Sequence, residues 1–152
     1  MRVQDIMMSD IATCTPATDL AAVAMMMWNK DCGVVPVTNE QGKPVAMITD
    51  RDISIAGATQ RRPLSEIPVA AVKDGEIVAC EADRDVRDAM RLMADARVRR
   101  LPIIDEEGKL VGLLSLGDIV VNVPGSSDGN SSAMDLPYED VINTLKEIYV
   151  HH

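Results

Sequence analysis

The chain has 152 residues, 47% of them apolar, and a formal charge of -9 at neutral pH. That length suits one compact domain or two small units sharing a core, and the acidity argues against nucleic acid as the main partner, because phosphate backbones are met by extended basic faces. No apolar run approaches the ~20 residues of a membrane span, and the start MRVQDIMMSD lacks the basic-then-apolar layout of a signal peptide, so no membrane partner and a cytoplasmic location are expected. Phe is absent and Trp28 is the single Trp, which leaves the interior to Val, Ile, Leu, Ala and ten Met. Cys14, Cys32 and Cys80 form no C-x-x-C and read as small buried hydrophobes in a reducing compartment.

In chain order, a short extended segment (IATCT) precedes a helix whose apolar residues Leu20, Val23, Ala24, Met27 and Trp28 fall on one stripe. The run Met25 to Trp28 reads as core or dimer-interface packing. An apolar strand follows (VVPV), whose proline suits a strand start or an edge. The Gly-containing turn NEQGK leads into a second strand (PVAMI), a hairpin arrangement, and a helix starts at ITDRDI. Residues 59–67 are polar and turn-rich and read as a connector.

The series then recurs. Pro36 and Pro102, Gly42 and Gly108, Thr49 and Ser115, and Asp52 and Asp118 are each 66 residues apart, as are Ile11/Ile77, Cys14/Cys80, Asp19/Asp85, Lys43/Lys109 and Val45/Val111. The second copy reads IVACE, a helix striped by Val86, Ala89, Met90, Met93 and Ala94, then LPII, DEEGK, LVGLL and LSLGDI. An internal duplication of a β-α-β-β-α unit results, with repeats at 1–58 and 68–122. Residues 123–134 read as a flexible linker and 135–150 as an amphipathic helix striped by Tyr138, Val141, Ile142, Leu145, Ile148 and Tyr149. His151 and His152 read equally as a tag remnant or as metal ligands.

The duplicated unit, with G-K-x-V before an apolar strand and then T-D-R-D-I or S-L-G-D-I, resembles the paired cystathionine β-synthase (CBS) domain, or Bateman module. The resemblance covers about residues 1 to 122. It implies an α+β fold of two tandem βαββα subdomains packed around a pseudo-two-fold axis, with clefts that in many members hold adenosine nucleotides. It also implies disc-shaped dimers, hence a homodimer, and a sensing role in place of catalysis. No cofactor is required on this reading. An adenine nucleotide such as AMP, ADP or ATP is the regulatory ligand, and an unknown protein target is a further partner.

Position by position, Asp52 and Asp118 match acids that accept hydrogen bonds from ribose hydroxyls, with Thr49 and Ser115 beside them. The main chain near Val35 and Leu101 matches segments that read the purine edge, and Arg99 and Arg100 match basic positions directed at phosphate. Arg51 is a weaker phosphate candidate. The first repeat has Gly33 and Val34 where the second has the two arginines, so the two clefts are expected to differ.

Each assignment has a plainer alternative. A carboxylate can accept both hydroxyls of a vicinal diol, but Thr/Ser-x-x-Asp is also a capping box for the first turn of a helix. Arg97, Arg99 and Arg100 follow a helix and suit its negative end. The competing functions are a ligand-free structural dimerisation module and an enzyme using Cys14 or Cys80, which needs a depressed thiol pKa that no neighbouring basic residue supplies. If a ligand binds, the tail helix is the element whose docking is expected to change.

Overall fold

Asp19 and Asp85, 66 residues apart, start matching helices. The Asp19 carboxylate accepts from the Ala22 N–H at 2.9 Å and that of Asp85 from the Arg87 N–H at 2.9 Å, satisfying donors that have no partner within the helix. The structure, a computed structural model, describes residues 1–73, 75–122 and 138–149. The whole linker expected at 123–134, together with residues 135–137, Val150, His151 and His152, lies outside the described residues.

In chain order the elements are α1 (Val3–Ile6), α2 (Leu20–Lys30), β1 (Val34–Thr38), β2 (Pro44–Thr49), α3 (Asp50–Gln60), β3 (Cys80–Glu81), α4 (Val86–Ala96), β4 (Arg100–Ile104), β5 (Leu110–Ser115), α5 (Leu116–Asn122) and α6 (Tyr138–Tyr149). Two 3-10 turns, Leu64–Glu66 and Val69–Ala71, lie between α3 and β3. This is the expected α+β duplication with an added terminal helix.

The repeats also end their first helices alike. Asp31 and Arg97 close α2 and α4 in the left-handed conformation, with φ of 49° and 55°. It is the backbone of Arg97 that acts here, its N–H donating to the carbonyls of Met93 and Ala94. Gly42 and Gly108 occupy the hairpin turns at φ of 75° and 79°, which L side chains rarely adopt.

One compact unit comprises Asp10–Ile77 with Glu107–Leu110. In it β1 and β2 pair antiparallel, Val34 opposite Thr49 and Val35 opposite Ile48, and Cys14 adds a single parallel bridge to Val37. Leu20, Val23, Met27, Val35, Val37, Ile48, Ile53 and Ala56 form its core. The connector is no loose tether, since Ile67 and Val69 are buried in that core and the Leu20 N–H donates to the Ile67 carbonyl at 2.9 Å.

The other unit comprises Met1–Ser9, Val78–Glu106 and the chain from Val111 onward. Its sheet has the order β3-β4-β5, with β3 parallel to β4. The N-terminal segment packs here: Val3 is fully buried, and Met8 and Leu113 exchange backbone hydrogen bonds of 2.8 and 2.9 Å. α6 packs on α4, placing Val141, Leu145 and Ile148 against the cluster that holds Val86, Met90 and Met93.

Two sequence expectations change. Trp28 does not share the buried stripe of α2. It lies roughly 100° around the helix axis from Met27 and is 81% exposed, with Met25 at 56%. Pro36 and Pro102 are the third residues of β1 and β4; β1 is an edge of its two-stranded sheet, as expected for a proline, whereas β4 lies between β3 and β5, so Pro102 is at neither a start nor an edge. The single parallel bridge explains Pro36: it uses the Pro36 carbonyl (from Cys14 N–H, 3.0 Å) and the Thr38 N–H, so the missing donor falls beyond its end.

Candidate functional site

The hydroxyl and acid of each repeat meet where the second hairpin strand turns into its helix. In the first unit, Asp52 Oδ2 accepts from the Thr49 N–H at 2.9 Å and from Thr49 Oγ1 at 2.9 Å, while the Asp52 N–H donates to Thr49 Oγ1 at 3.2 Å. In the second unit, Asp118 Oδ2 accepts from the Ser115 N–H at 2.8 Å and Ser115 Oγ at 2.7 Å, and the Asp118 N–H donates to Ser115 Oγ at 3.1 Å. Both corners are therefore capping boxes. The cap converges on one carboxylate oxygen and does not use Oδ1, so capping and acceptance of a ligand hydroxyl are chemically compatible.

A second contact ties each corner to the start of the first hairpin strand. The Asp50 N–H donates to the Gly33 carbonyl at 3.1 Å, and the Leu116 N–H donates to the Arg99 carbonyl at 2.9 Å. The main chain at Val35 thereby adjoins the Thr49–Asp52 corner, and Leu101, Arg99 and Arg100 adjoin the Ser115–Asp118 corner. Val35 and Leu101 are fully buried, main chain included. Arg99 and Arg100 are exposed, as is Arg51 on the first turn of α3.

One further residue belongs to the first corner. Lys73 Nζ lies 3.1 Å from Asp52 Oδ2, with the Asp52 side chain 24% exposed. Burial raises the Asp52 pKa, but the backbone and side-chain bonds from Thr49, with the bond and charge of Lys73, outweigh it and hold the carboxyl below its ordinary value. Nothing in the repeat pattern flags Lys73, because the matching position is Glu139 in the tail.

Cys14 and Cys80 do not have the thiol environment that an enzyme reading needs. Burial pushes the Cys14 thiol up to about 11, and Cys80 is also raised, chiefly by burial with Asp88, Glu81 and Asp83 adding to it against Arg84. A nucleophilic thiol needs the opposite shift. Among the described residues no group of His, Cys, Asp and Glu is placed to hold a metal ion, and no helix is long and apolar enough to cross a membrane. A surface pocket of about 480 Å³ lies beside Trp28, Asp31 and Asp50, and another of about 460 Å³ beside Cys80, Arg84 and Arg91. Neither is lined by Asp52 or Asp118.

With two hairpin–helix units built on one plan, comparison with known families is decisive. The CBS domain model matches residues 3–58 and 65–125, and the chain belongs to that family as a paired CBS domain protein. The CBS domain-containing protein YhcV of Bacillus subtilis is 34% identical over 139 residues, which span 91% of this chain and 97% of YhcV. Among solved structures, Hypoxic Response Protein I of Mycobacterium tuberculosis, with two coordinated zinc ions, is similar at a TM-score of 0.73 and 26% identity, over 82% of this chain and 100% of that one. CBS domain protein PAE2072 from Pyrobaculum aerophilum, complexed with AMP, is similar at 0.69 and 24%, over 78% and 90%.

Proposed function

We propose that the chain is a regulatory protein that reversibly binds an adenosine-containing nucleotide and reports its presence through a homodimer or a protein target. The observation that carries this reading is the Ser115–Asp118 corner, whose carboxylate keeps an oxygen outside the cap while the Leu116–Arg99 backbone hydrogen bond ties the strand start that carries two arginines to it. Asp118 accepts the ribose hydroxyls, the main chain near Leu101 reads the purine edge, and Arg99 and Arg100 meet phosphate, for which a guanidinium fork is well shaped. Thr49, Asp52 and Val35 play the same parts in the first repeat, with Arg51 as an outlying cation. The AMP held by PAE2072 supports the ligand class. Binding is the whole biochemical act, and no catalytic step is assigned.

The homodimer rests on apolar surface left in water. α2 exposes Met25 and Trp28, and α3 exposes Ile55 at 49%. The matching helix α4 is instead packed by α6, which makes α6 the element whose docking would report an occupied second repeat.

A thermal-shift panel of AMP, ADP, ATP, NAD and S-adenosylmethionine tests the reading. A ligand bound by the native state at 100 times its dissociation constant adds about 2.7 kcal/mol, so at least one member should raise the melting temperature. A flat panel would favour a ligand-free dimerisation module, to which the two capping boxes would then belong as purely structural features.

A further inference from the structure

Asp52 and Asp118 occupy matching positions but have different surroundings. Asp118 has Arg99 and Arg100 on the adjoining strand start, whereas Asp52 has Gly33 and Val34 there and no cation from that strand. Its cation comes from the chain after the connector. The Lys73 N–H donates to the Val69 carbonyl at 3.0 Å, Val69 is 1% exposed, and the ammonium reaches Asp52 Oδ2 at 3.1 Å. A buried anchor thus holds the backbone of Lys73, while its side chain keeps 36% of its surface exposed.

We infer that Lys73 selects the charge of the ligand at the first repeat: its ammonium rests on Asp52 in the empty state and moves to the ligand's phosphate when a nucleotide binds. This rests on the nucleotide-binding reading above. A ribose diol docking on Asp52 competes with the ammonium for carboxylate lone pairs. A neutral nucleoside must share the carboxylate or leave the ammonium without its partner. A phosphorylated nucleoside offers that ammonium a new anion, and a compact charge on a flexible four-carbon stem suits such an exchange. The pair is part-buried, with Lys73 36% and Asp52 24% exposed, so the exchange depends on the phosphate replacing the carboxylate as the ammonium's partner. The first repeat would therefore prefer phosphorylated over neutral nucleosides without either arginine.

The test uses calorimetry on the full chain carrying Asp118→Asn, so that binding reports the first repeat, with AMP and adenosine as probes. Adding Lys73→Met should weaken AMP on the order of tenfold, the scale of one charge-assisted contact, while adenosine binds equally or more tightly; Lys73→Arg should retain the AMP preference. Equal changes for both probes, or none, would overturn the inference. Binding to the unsubstituted chain that vanishes in the Asp118→Asn chain would overturn it while leaving the nucleotide reading intact. Failure of both probes to bind the unsubstituted chain would remove both.

Discussion

The backbone N–H of Leu116 donates to the carbonyl of Arg99 at 2.9 Å, fixing the arginine segment to the first residue of the helix that carries Asp118. A ligand whose ribose rests on Asp118 would therefore lie beside the strand start that carries Arg99 and Arg100. Replacing both arginines by Ala should weaken AMP by about 1.5–3 kcal/mol, the scale of hydrogen bonds to charged groups, and leave adenosine nearly unchanged. Equal weakening of the two ligands by calorimetry would return the arginines to a surface role.

Acid should weaken the first repeat through Asp52. Its carboxyl is held below the ordinary value in the fold, so its contribution is fully present above the unfolded pKa of about 3.9 and is lost as pH falls through the lower folded value. Asp52→Asn should accordingly destabilise by about 1 kcal/mol at pH 7, as for a lost capping contact, with the gap closing below about pH 4. Urea denaturation at both pH values measures it. A gap that persists undiminished in acid would contradict the assignment.

Gly112 is required by a close approach. A Cβ there would lie 2.8 Å from the Met8 carbonyl oxygen and 2.8 Å from Met7 Sδ, and the Met8–Leu113 pairing leaves the backbone little room to retreat. The first repeat has Ala46 at the matching position, opposite Val37. Gly112→Ala should destabilise by about 1–3 kcal/mol as an overpacked site, detected as a lower melting temperature by circular dichroism. An unchanged melting temperature would show that the N-terminal segment gives way freely.

The exposed Trp28 predicts association. Light scattering at micromolar concentration should give about twice the 16.5 kDa chain mass, and Trp28→Asp should shift the population toward monomer. A monomeric unsubstituted chain would remove the dimer from the account.

Features set by local chemistry were legible before any coordinates. The turn glycines Gly42 and Gly108 and the pairs Thr49–Asp52 and Ser115–Asp118 each depend on residues at most a few positions apart, and duplication displayed every one twice. Asp19 and Asp85 stood out only as a repeated pair, and their capping role came from the structure. Features set by the path of the chain were not. Lys73 reaches Asp52 across 21 residues with no counterpart in the second copy. Met1–Ser9 packs with the other half of the chain, where the sequence order suggests the first repeat. Trp28 sits at the margin of a helical stripe, where periodicity alone does not decide between core and solvent. Spacing proposed both a cap and a ligand acid for Asp118; the coordinates place the cap, and the ligand role rests on chemistry.

The central claim is tested most directly by titrating AMP into the unsubstituted chain and into Asp118→Ala by isothermal calorimetry, with folding of both followed by circular dichroism. The account predicts saturable binding to the unsubstituted chain and a loss of about 1.5–3 kcal/mol, roughly 10- to 150-fold, in the folded variant. The loss belongs to the second repeat's site, so a first-repeat site shows as unchanged binding at reduced stoichiometry. Absence of saturable binding, or the same affinity and stoichiometry in both proteins, would contradict the account.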